Sequence, residues 1–229
     1  MNICITGASR GIGLAIAKRL NTKGTKLFLS ATKLSSFRSK HTQSCIPCGC
    51  DLATMQGVDL FASVIKKHTR RLDVLVNNVG VFIAKKFENY TDNDIIKLVN
   101  LNLTSHILLT KKLLPLLEVS KNPRIIFISS MAAKSAINGE SIYSATKAGI
   151  TNFSNVLRNE LGEKMRISTI HSWGVNTWGA KPSEILLKPD HIAQTVEFIL
   201  STKKPFLVES MDLSHQMQWR RGQAPWSPK

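Results

Sequence analysis

A tyrosine and a lysine stand one helical turn apart in the stretch IYSATKAGI, as Tyr143 and Lys147. Side chains at this spacing share one face of a helix, so the phenol and the ammonium can meet. A free tyrosine has a pKa of about 10, and a neighbouring cation stabilises the phenolate and lowers that pKa. The pair could therefore exchange a proton with a reacting oxygen near neutral pH. The same spacing also suits an ordinary tyrosine above a solvated lysine, so the pair alone decides nothing.

A glycine-rich stretch near the N-terminus could hold the second reactant. TGASRGIG follows an apolar run and opens an amphipathic stretch, with Gly7, Gly11 and Gly13 at the turn between them. Glycine permits a tight turn and a close approach of the backbone to a ligand, and a helix N-terminus attracts phosphate. In this context we predict a dinucleotide pyrophosphate site. The alternative is a glycine-rich turn that binds nothing.

The residues after the second apolar run favour a dinucleotide that carries a 2′-phosphate. NAD sites usually place an acidic residue there, where it holds the ribose 2′-hydroxyl. Here Ala31 and Thr32 occupy that position, while Arg10 and Lys33 supply cations nearby. We therefore predict NADP(H), with NAD(H) as the alternative cofactor. Lys33 could equally be a solvated surface lysine.

Short apolar runs that alternate with amphipathic stretches must position these residues. Buried strands are predicted for the runs NICIT, KLFLS, SCIPC, LDVLV, RIIFIS and RISTI, and a last short strand for FLVESMDLSHQ. Helical patterns cover about 11–23, 54–70, 91–119, 140–161 and 189–202, with room for only one turn of helix between the second and third strands. This alternation predicts the α/β class, with a Rossmann-type doubly wound parallel sheet flanked by helices on both faces. We expect a single catalytic domain over residues 1–213 and an irregular tail over 214–229.

Composition limits the classes of protein that remain. The chain has 229 residues, 43% of them hydrophobic, and no apolar run approaches the roughly 20 residues that a membrane span needs. The N-terminal stretch lacks a signal-peptide pattern, so we expect a cytoplasmic protein. The net charge of +16 comes from scattered basic pairs, which suit solvated faces better than a nucleic-acid site.

Three of the four cysteines, Cys45, Cys48 and Cys50, are close enough in sequence to suggest a metal cluster. No second pair of cysteines or histidines follows at the spacing of a zinc site. We therefore expect buried free thiols in a reducing compartment and no metal.

With the glycine loop and the Tyr–Lys pair in place, the chain resembles the short-chain dehydrogenase/reductase family over roughly residues 2–213. The family's Thr-Gly-x-x-x-Gly-x-Gly motif runs from Thr6 to Gly13, and its Asn-Asn-Ala-Gly motif appears as NNVG at 77–80. Its active-site serine and asparagine match Ser130 and Asn102. Each match alone could be a turn, a cap or a polar residue within a helix. In order and at family spacing, a joint coincidence is improbable.

The resemblance implies hydride transfer between a nicotinamide and a carbonyl or alcohol substrate. Tyr143 would exchange the proton, Lys147 would lower its pKa and hold the nicotinamide ribose, and Ser130 would bind the substrate oxygen. Asn102 would anchor a water that links Lys147 to solvent. Together with the positions discussed above, the expected cofactor contacts are Gly7, Ser9, Arg10, Gly11, Ile12, Gly13, Thr32, Lys33, Asp51, Leu52, Asn78, Gly80, Tyr143, Lys147, Gly174 and Thr177. The expected substrate contacts are Ser130, Tyr143, Met131 and Trp173.

The chain also departs from the family pattern. Trp173 replaces the usual proline in HSWGVNTWGA, and it could line a pocket or simply pack under a loop. The short run after it replaces the longer substrate-covering loop of many relatives. This predicts an open site, or one completed by a neighbouring subunit, for a moderately apolar carbonyl compound. Apolar helices predict a homodimer or homotetramer, with a covered monomer core as the alternative. A competing function is a dinucleotide-sensing regulatory protein that uses its basic surface to bind a partner.

Overall fold

A computed structural model describes residues 1–37, 45–177 and 186–216. Seven parallel strands form one sheet in the order β3-β2-β1-β4-β5-β6-β7. The strands are β1 Asn2–Ile5, β2 Lys26–Ala31, β3 Cys45–Gly49, β4 Val74–Asn77, β5 Arg124–Ser130, β6 Arg166–Ser172 and β7 Ser210–Leu213. The order reverses between β1 and β4, and a crevice opens beyond the carboxyl ends of strands at such a point. The prediction of a doubly wound parallel sheet is confirmed.

Helices cover both faces of the sheet: α1 Gly11–Leu20, α2 Met55–His68, α3 Asp92–Val99, α4 Ser105–Glu118, α5 Ser141–Leu161 and α6 Pro189–Ser201. Alternate strand residues point to opposite faces. Thus Cys4 packs in the layer of α2, α4 and α5, whereas Ile3 and Ile5 pack in the layer of α1 and α6. The largely apolar sequences of these strands follow from this burial on both faces.

The single helix predicted over 91–119 is interrupted. α3 ends at Val99, a π-helical turn spans Asn100–Thr104, and α4 begins at Ser105. A π turn inserts one residue into a helix and is invisible to a search for apolar periodicity. The π-helical turn contains Asn102, the predicted active-site asparagine. The one turn expected between β2 and β3 is a 3₁₀ turn at Leu34–Ser36.

The cysteines are free thiols, as expected, and the chain end is described only in part. All four thiols are free, and Cys4, Cys48 and Cys50 are buried in the core. Within residues 1–37, 45–177 and 186–216, no group of three or more metal-ligating side chains is close enough to hold an ion. In the same ranges, no helix is both long and apolar enough to span a bilayer. Of the predicted tail, residues 217–229 lie outside the described part of the chain, as does Trp178.

Candidate active site

Two loops at the carboxyl ends of β1 and β4 are locked together by Thr6. Its hydroxyl oxygen accepts hydrogen bonds from the backbone N–H groups of Asn78 at 2.8 Å and Val79 at 2.9 Å. The Asn78 side-chain amide donates in return to the Thr6 carbonyl at 2.7 Å. The start of the glycine loop and the NNVG segment therefore form one rigid unit, since each supplies the other's buried partners.

The glycines of this loop are required by different contacts. Gly7 and Gly11 have positive φ angles of 65° and 55°, which residues other than glycine rarely adopt. Gly13 is helical, but a Cβ there would lie 2.3 Å from the Gly7 carbonyl oxygen and 2.6 Å from the Asn78 amide nitrogen. Gly13 thus permits helix α1 to pack against the loop and, contrary to the expectation of a direct cofactor contact, does not line the cleft.

A cleft of about 600 Å³ begins at this loop and runs along the sheet edge. Its walls at the glycine end include most of the expected cofactor contacts: Gly7, Ser9, Arg10, Gly11, Ile12, Thr32, Asp51, Leu52, Asn78, Gly80, Gly174 and Thr177. Ser130, Tyr143, Lys147 and Trp173 line its other part. These residues come from seven separate stretches of sequence and therefore meet in one continuous space.

Two residues that were expected to contact a ligand do not line the cleft, and the reason is the same for both. Lys33 and Met131 do not line the cleft, whereas the residues before them, Thr32 and Ser130, do. The backbone is extended at Lys33 (φ −125°, ψ 135°) and at Ser130 (φ −151°, ψ 156°). Successive side chains of an extended segment point in opposite directions, so only one of each pair can face the ligand. Lys33 is exposed, and Ala132 takes the place expected of Met131.

Tyr143 lies in the first turn of α5, beneath the edge of an aromatic ring. The Phe82 ring packs edge-on against it, with centroids 4.9 Å apart. Burial raises the pKa of Tyr143 to about 12, and the negative charge of Glu140 adds to this, while hydrogen bonding to Ser130 opposes it. The sequence led us to expect a lowered pKa. That expectation is wrong for the protein without its ligands, because desolvation of the phenolate outweighs its hydrogen bond to Ser130.

Lys147 is buried one turn further along α5. Its Nζ donates a hydrogen bond to the Ile128 carbonyl at 3.0 Å and lies 5.7 Å from the centroid of the Tyr143 ring. Burial lowers the pKa of Lys147 to about 8, because the ammonium has lost its hydration. The two groups are therefore perturbed by the same cause in opposite directions, as is typical of residues in active sites.

Asn102 is fully buried in the π-helical turn. Its side-chain oxygen accepts from the Val81 N–H at 2.8 Å, and its amide nitrogen donates to the Val81 carbonyl at 2.8 Å. A Cβ on Gly80 would lie 3.2 Å from the Asn102 oxygen and 3.7 Å from Lys147 Nζ. Asn102 is thus close to Lys147 but does not line the cleft, and its side chain fixes the segment after NNVG.

Two residues that the sequence did not indicate also line the cleft. Phe82 follows the NNVG segment and packs on Tyr143, while Glu140 is only 2% exposed and precedes the first turn of α5. Neither belongs to a recognisable motif. The only signal available was the proximity of each to a motif residue in the sequence, which does not distinguish a wall of the cleft from its surroundings.

A doubly wound parallel sheet with a glycine-lined cleft at its switch point defines a Rossmann-fold protein of the dinucleotide-binding type. The profile described as short chain dehydrogenase matches residues 1–184. The chain belongs to the short-chain dehydrogenase/reductase family, a family of oxidoreductases.

Several relatives agree with this assignment. The chain is 30% identical over 186 residues to a tropinone reductase homolog of Datura stramonium, covering 77% of this chain and 69% of the relative. It is 34% identical over 182 residues to the rhamnolipids biosynthesis 3-oxoacyl-[acyl-carrier-protein] reductase of Pseudomonas aeruginosa, covering 72% and 69%.

Among solved structures, an alcohol dehydrogenase from Thermococcus sibiricus complexed with 5-hydroxy-NADP superposes with a TM-score of 0.87 at 25% identity, covering 95% of this chain and 97% of that one. A metagenomic short-chain oxidoreductase in complex with NADP superposes with a TM-score of 0.82 at 27% identity, covering 93% and 96%. The likeness extends over nearly the whole fold.

Proposed function

We propose that the protein is an NADPH-dependent oxidoreductase that interconverts a carbonyl compound and its alcohol. The observation that carries this proposal is that the glycine loop and Ser130, Tyr143 and Lys147 line one and the same cleft. The wall residues fit a dinucleotide, since Gly7, Gly11 and Gly80 let the backbone line the cleft with no side chain at these three positions. A bound nicotinamide would supply the hydride.

The residues of the chain would handle the oxygen and the proton. In reduction, Tyr143 gives its proton to the substrate oxygen as negative charge develops there, and Ser130 holds that oxygen by a hydrogen bond. The Lys147 ammonium stabilises the phenolate that remains. Both polar ends of the Asn102 amide bind Val81, so this side chain positions the Gly80 segment beside Lys147. Oxidation of the alcohol reverses these steps.

The proposed preference for NADPH rests on the adenosine end of the cleft. Arg10 and Thr32 line it, and Thr32 occupies the position at which an NAD site has an acid. The matched relatives of known structure were solved with NADP or an NADP analogue, which supports the same choice. A guanidinium can bind a 2′-phosphate through two parallel hydrogen bonds, while an acid would repel it.

We expect the protein to bind NADPH at least about tenfold more tightly than NADH, because a charge-assisted phosphate contact is worth about 1.5–3 kcal/mol. Arg10→Ala should remove most of this difference by weakening NADPH binding alone. Lys33→Ala is the matched control, since Lys33 also carries a positive charge near Thr32 but does not line the cleft. Fluorescence titration of the wild type and both variants with each cofactor measures all six affinities. Equal affinities in the wild type would refute the preference.

A carbonyl panel tests the activity itself. Purified protein should consume NADPH, followed by its absorbance, with at least one ketone or aldehyde from a broad set. Phe82, Ile137 and Trp173 line the cleft, so moderately apolar compounds should be the better substrates. If no compound reacts while the protein binds nucleic acid at physiological salt, the regulatory function replaces this proposal.

We further propose that two or more copies associate through the outer faces of α4 and α5. Ile107, Leu108 and Leu114 on α4 are only partly buried, and Val156 on α5 is 46% exposed. Apolar side chains left on adjacent helices favour a symmetric, self-complementary contact. Analytical ultracentrifugation should therefore give a dimer or tetramer for the wild type and a smaller species for Val156→Arg. A wild-type monomer at micromolar concentration would exclude this assembly.

A further inference from the structure

A line of hydrogen-bonded side chains lies behind the cleft and connects the backbone of Lys147 to the protein surface. Thr151 Oγ1, one turn after Lys147, is 2.9 Å from the Lys147 carbonyl and 3.0 Å from His171 Nε2. His171 lies on β6, is 1% exposed, and has its Nδ1 3.2 Å from Asp212 Oδ1 on β7. The line therefore joins α5 to the last two strands of the sheet.

The same line reaches the segment that carries Ser130. Ser129, its neighbour on β5, has its hydroxyl 3.2 Å from the Lys147 carbonyl and 3.1 Å from Thr151 Oγ1. Beyond the 3₁₀ turn that follows Ser130, Lys134 forms an ion pair with Asp212 at 2.7 Å. Both strand β5 before the turn and the chain after it are thus tied to the partners of His171.

The charges around His171 favour one arrangement of its protons. Burial and the positive charge of Lys134 lower the pKa of His171 to about 4, so the ring is neutral at physiological pH. Nδ1 lies 3.2 Å from both Asp212 Oδ1 and the Ser210 hydroxyl. A carboxylate only accepts, so Asp212 favours the tautomer with its hydrogen on Nδ1. Nε2 then accepts from the Thr151 hydroxyl, and the Ser129 hydroxyl donates to the Lys147 carbonyl. Every polar atom of the imidazole has a partner in this arrangement.

We propose that Thr151 and His171 are positioning residues for the reaction: they fix the Lys147 turn of α5 against β5, β6 and β7, so that Tyr143, Lys147 and Ser130 keep their mutual geometry. Neither residue lines the cleft, so their effect would pass through Lys147 and not through a contact with substrate. The expected change in kcat rests on the proposed oxidoreductase function, whereas the expected displacement of Lys147 does not. A shift of even a fraction of an ångström at reacting groups lowers rates substantially.

The test compares Thr151→Val, which removes the hydroxyl at nearly constant volume, with Thr151→Ser, which keeps it. Crystal structures of both and of the wild type measure the distance from Lys147 Nζ to the Ile128 carbonyl, 3.0 Å here. In Thr151→Val we expect Nζ to move by about 0.5 Å or more, kcat to fall about tenfold, and the affinity for NADPH to stay within about twofold. Thr151→Ser should restore both the position and kcat.

Thr195→Val is the matched control, because the Thr195 hydroxyl on α6 likewise lies 2.9 Å from the carbonyl one turn earlier but is away from the cleft. It should leave kcat unchanged.

Asp212→Ala is a second test, at a half-exposed position on β7, and it leaves α5 intact. This variant should also have a lower kcat than the wild type. An unmoved Lys147 in Thr151→Val, or equal losses in the Val and Ser variants, would overturn the inference. Absence of turnover in the wild type would count against the proposed function alone, because the displacement is measured without substrate.

Discussion

Tyr143→Phe is expected to abolish carbonyl reduction, with a loss of about a thousandfold or more in kcat, while NADPH binding stays within about twofold. The substitution removes one hydroxyl and keeps the ring that packs against Phe82, 4.9 Å away. Without that hydroxyl, the alkoxide formed by hydride transfer loses its proposed proton donor. Ser130, which would hold the oxygen, and the Lys147 ammonium are then the donors that remain nearby. Stopped-flow or steady-state absorbance of NADPH measures the loss.

The other tyrosine of the chain provides the control. The Tyr90 hydroxyl lies 2.8 Å from the Ile83 carbonyl and 3.0 Å from the Gly139 carbonyl, which share its single proton, and Tyr90 does not line the cleft. Tyr90→Phe should therefore cost about 1 kcal/mol of stability per lost hydrogen bond and leave kcat nearly unchanged. Retention of more than a tenth of the wild-type rate by Tyr143→Phe would rule out Tyr143 as the essential proton donor.

A pH profile adds independent information on the same pair. In the protein without ligands, the pKa of Lys147 is lowered to about 8 and that of Tyr143 is raised to about 12. The protonated tyrosine needed for reduction is thus available throughout the physiological range. The lysine charge that stabilises its conjugate base is lost as pH rises through about 8.

Gly13→Ala is expected to weaken NADPH binding about tenfold or more, although Gly13 itself does not line the cleft. The added Cβ would lie 2.3 Å from the Gly7 carbonyl oxygen and 2.6 Å from the Asn78 amide nitrogen, so the loop or helix α1 must move. Forced overpacking of this kind typically costs about 1–3 kcal/mol, and here the displaced atoms are backbone that lines the cofactor end of the cleft. Titration of NADPH fluorescence measures the loss of affinity.

Gly24→Ala is the matched control for this substitution. Gly24 has a positive φ of 85°, but a Cβ there meets nothing within 4 Å, and the residue is exposed, away from the cleft. It should cost a little stability through backbone strain and leave NADPH affinity unchanged. If Gly13→Ala bound NADPH as tightly as Gly24→Ala, packing between α1 and the Gly7 loop would not support the cofactor site.

The sequence motifs anticipated the cleft best where the reason for a residue is local. A glycine at position 7 or 11 is required by the backbone angle of its own turn, and Tyr143 and Lys147 meet because a helix repeats every turn. The strand and helix boundaries agree with the predictions to within a few residues, since alternation and apolar periodicity are local properties as well. The π-helical turn at Asn100–Thr104 escaped because one inserted residue leaves the surrounding pattern almost intact.

Side-chain direction and electrostatics were the parts that sequence reasoning missed. Lys33 and Met131 each follow a residue that lines the cleft, and an extended backbone turns them the other way. A shift of one residue is beyond what a motif can specify, because the side chains of a strand alternate with a period of two. The pKa of Tyr143 was expected to fall, yet it rises, because the folded protein buries the phenol and places the charge of Glu140 near it.

The sequence by itself determined the fold class, the order of its elements and the family, because these follow from periodicities and motifs that are contiguous along the chain. Only the tertiary structure decided which residues share the cleft. It also decided that Asn102 forms hydrogen bonds with Val81. Behind Lys147, it brought Thr151 and Asp212 into contact with the His171 ring. These contacts connect positions far apart in the chain, so their energies depend on burial and geometry that exist only once the sheet has formed.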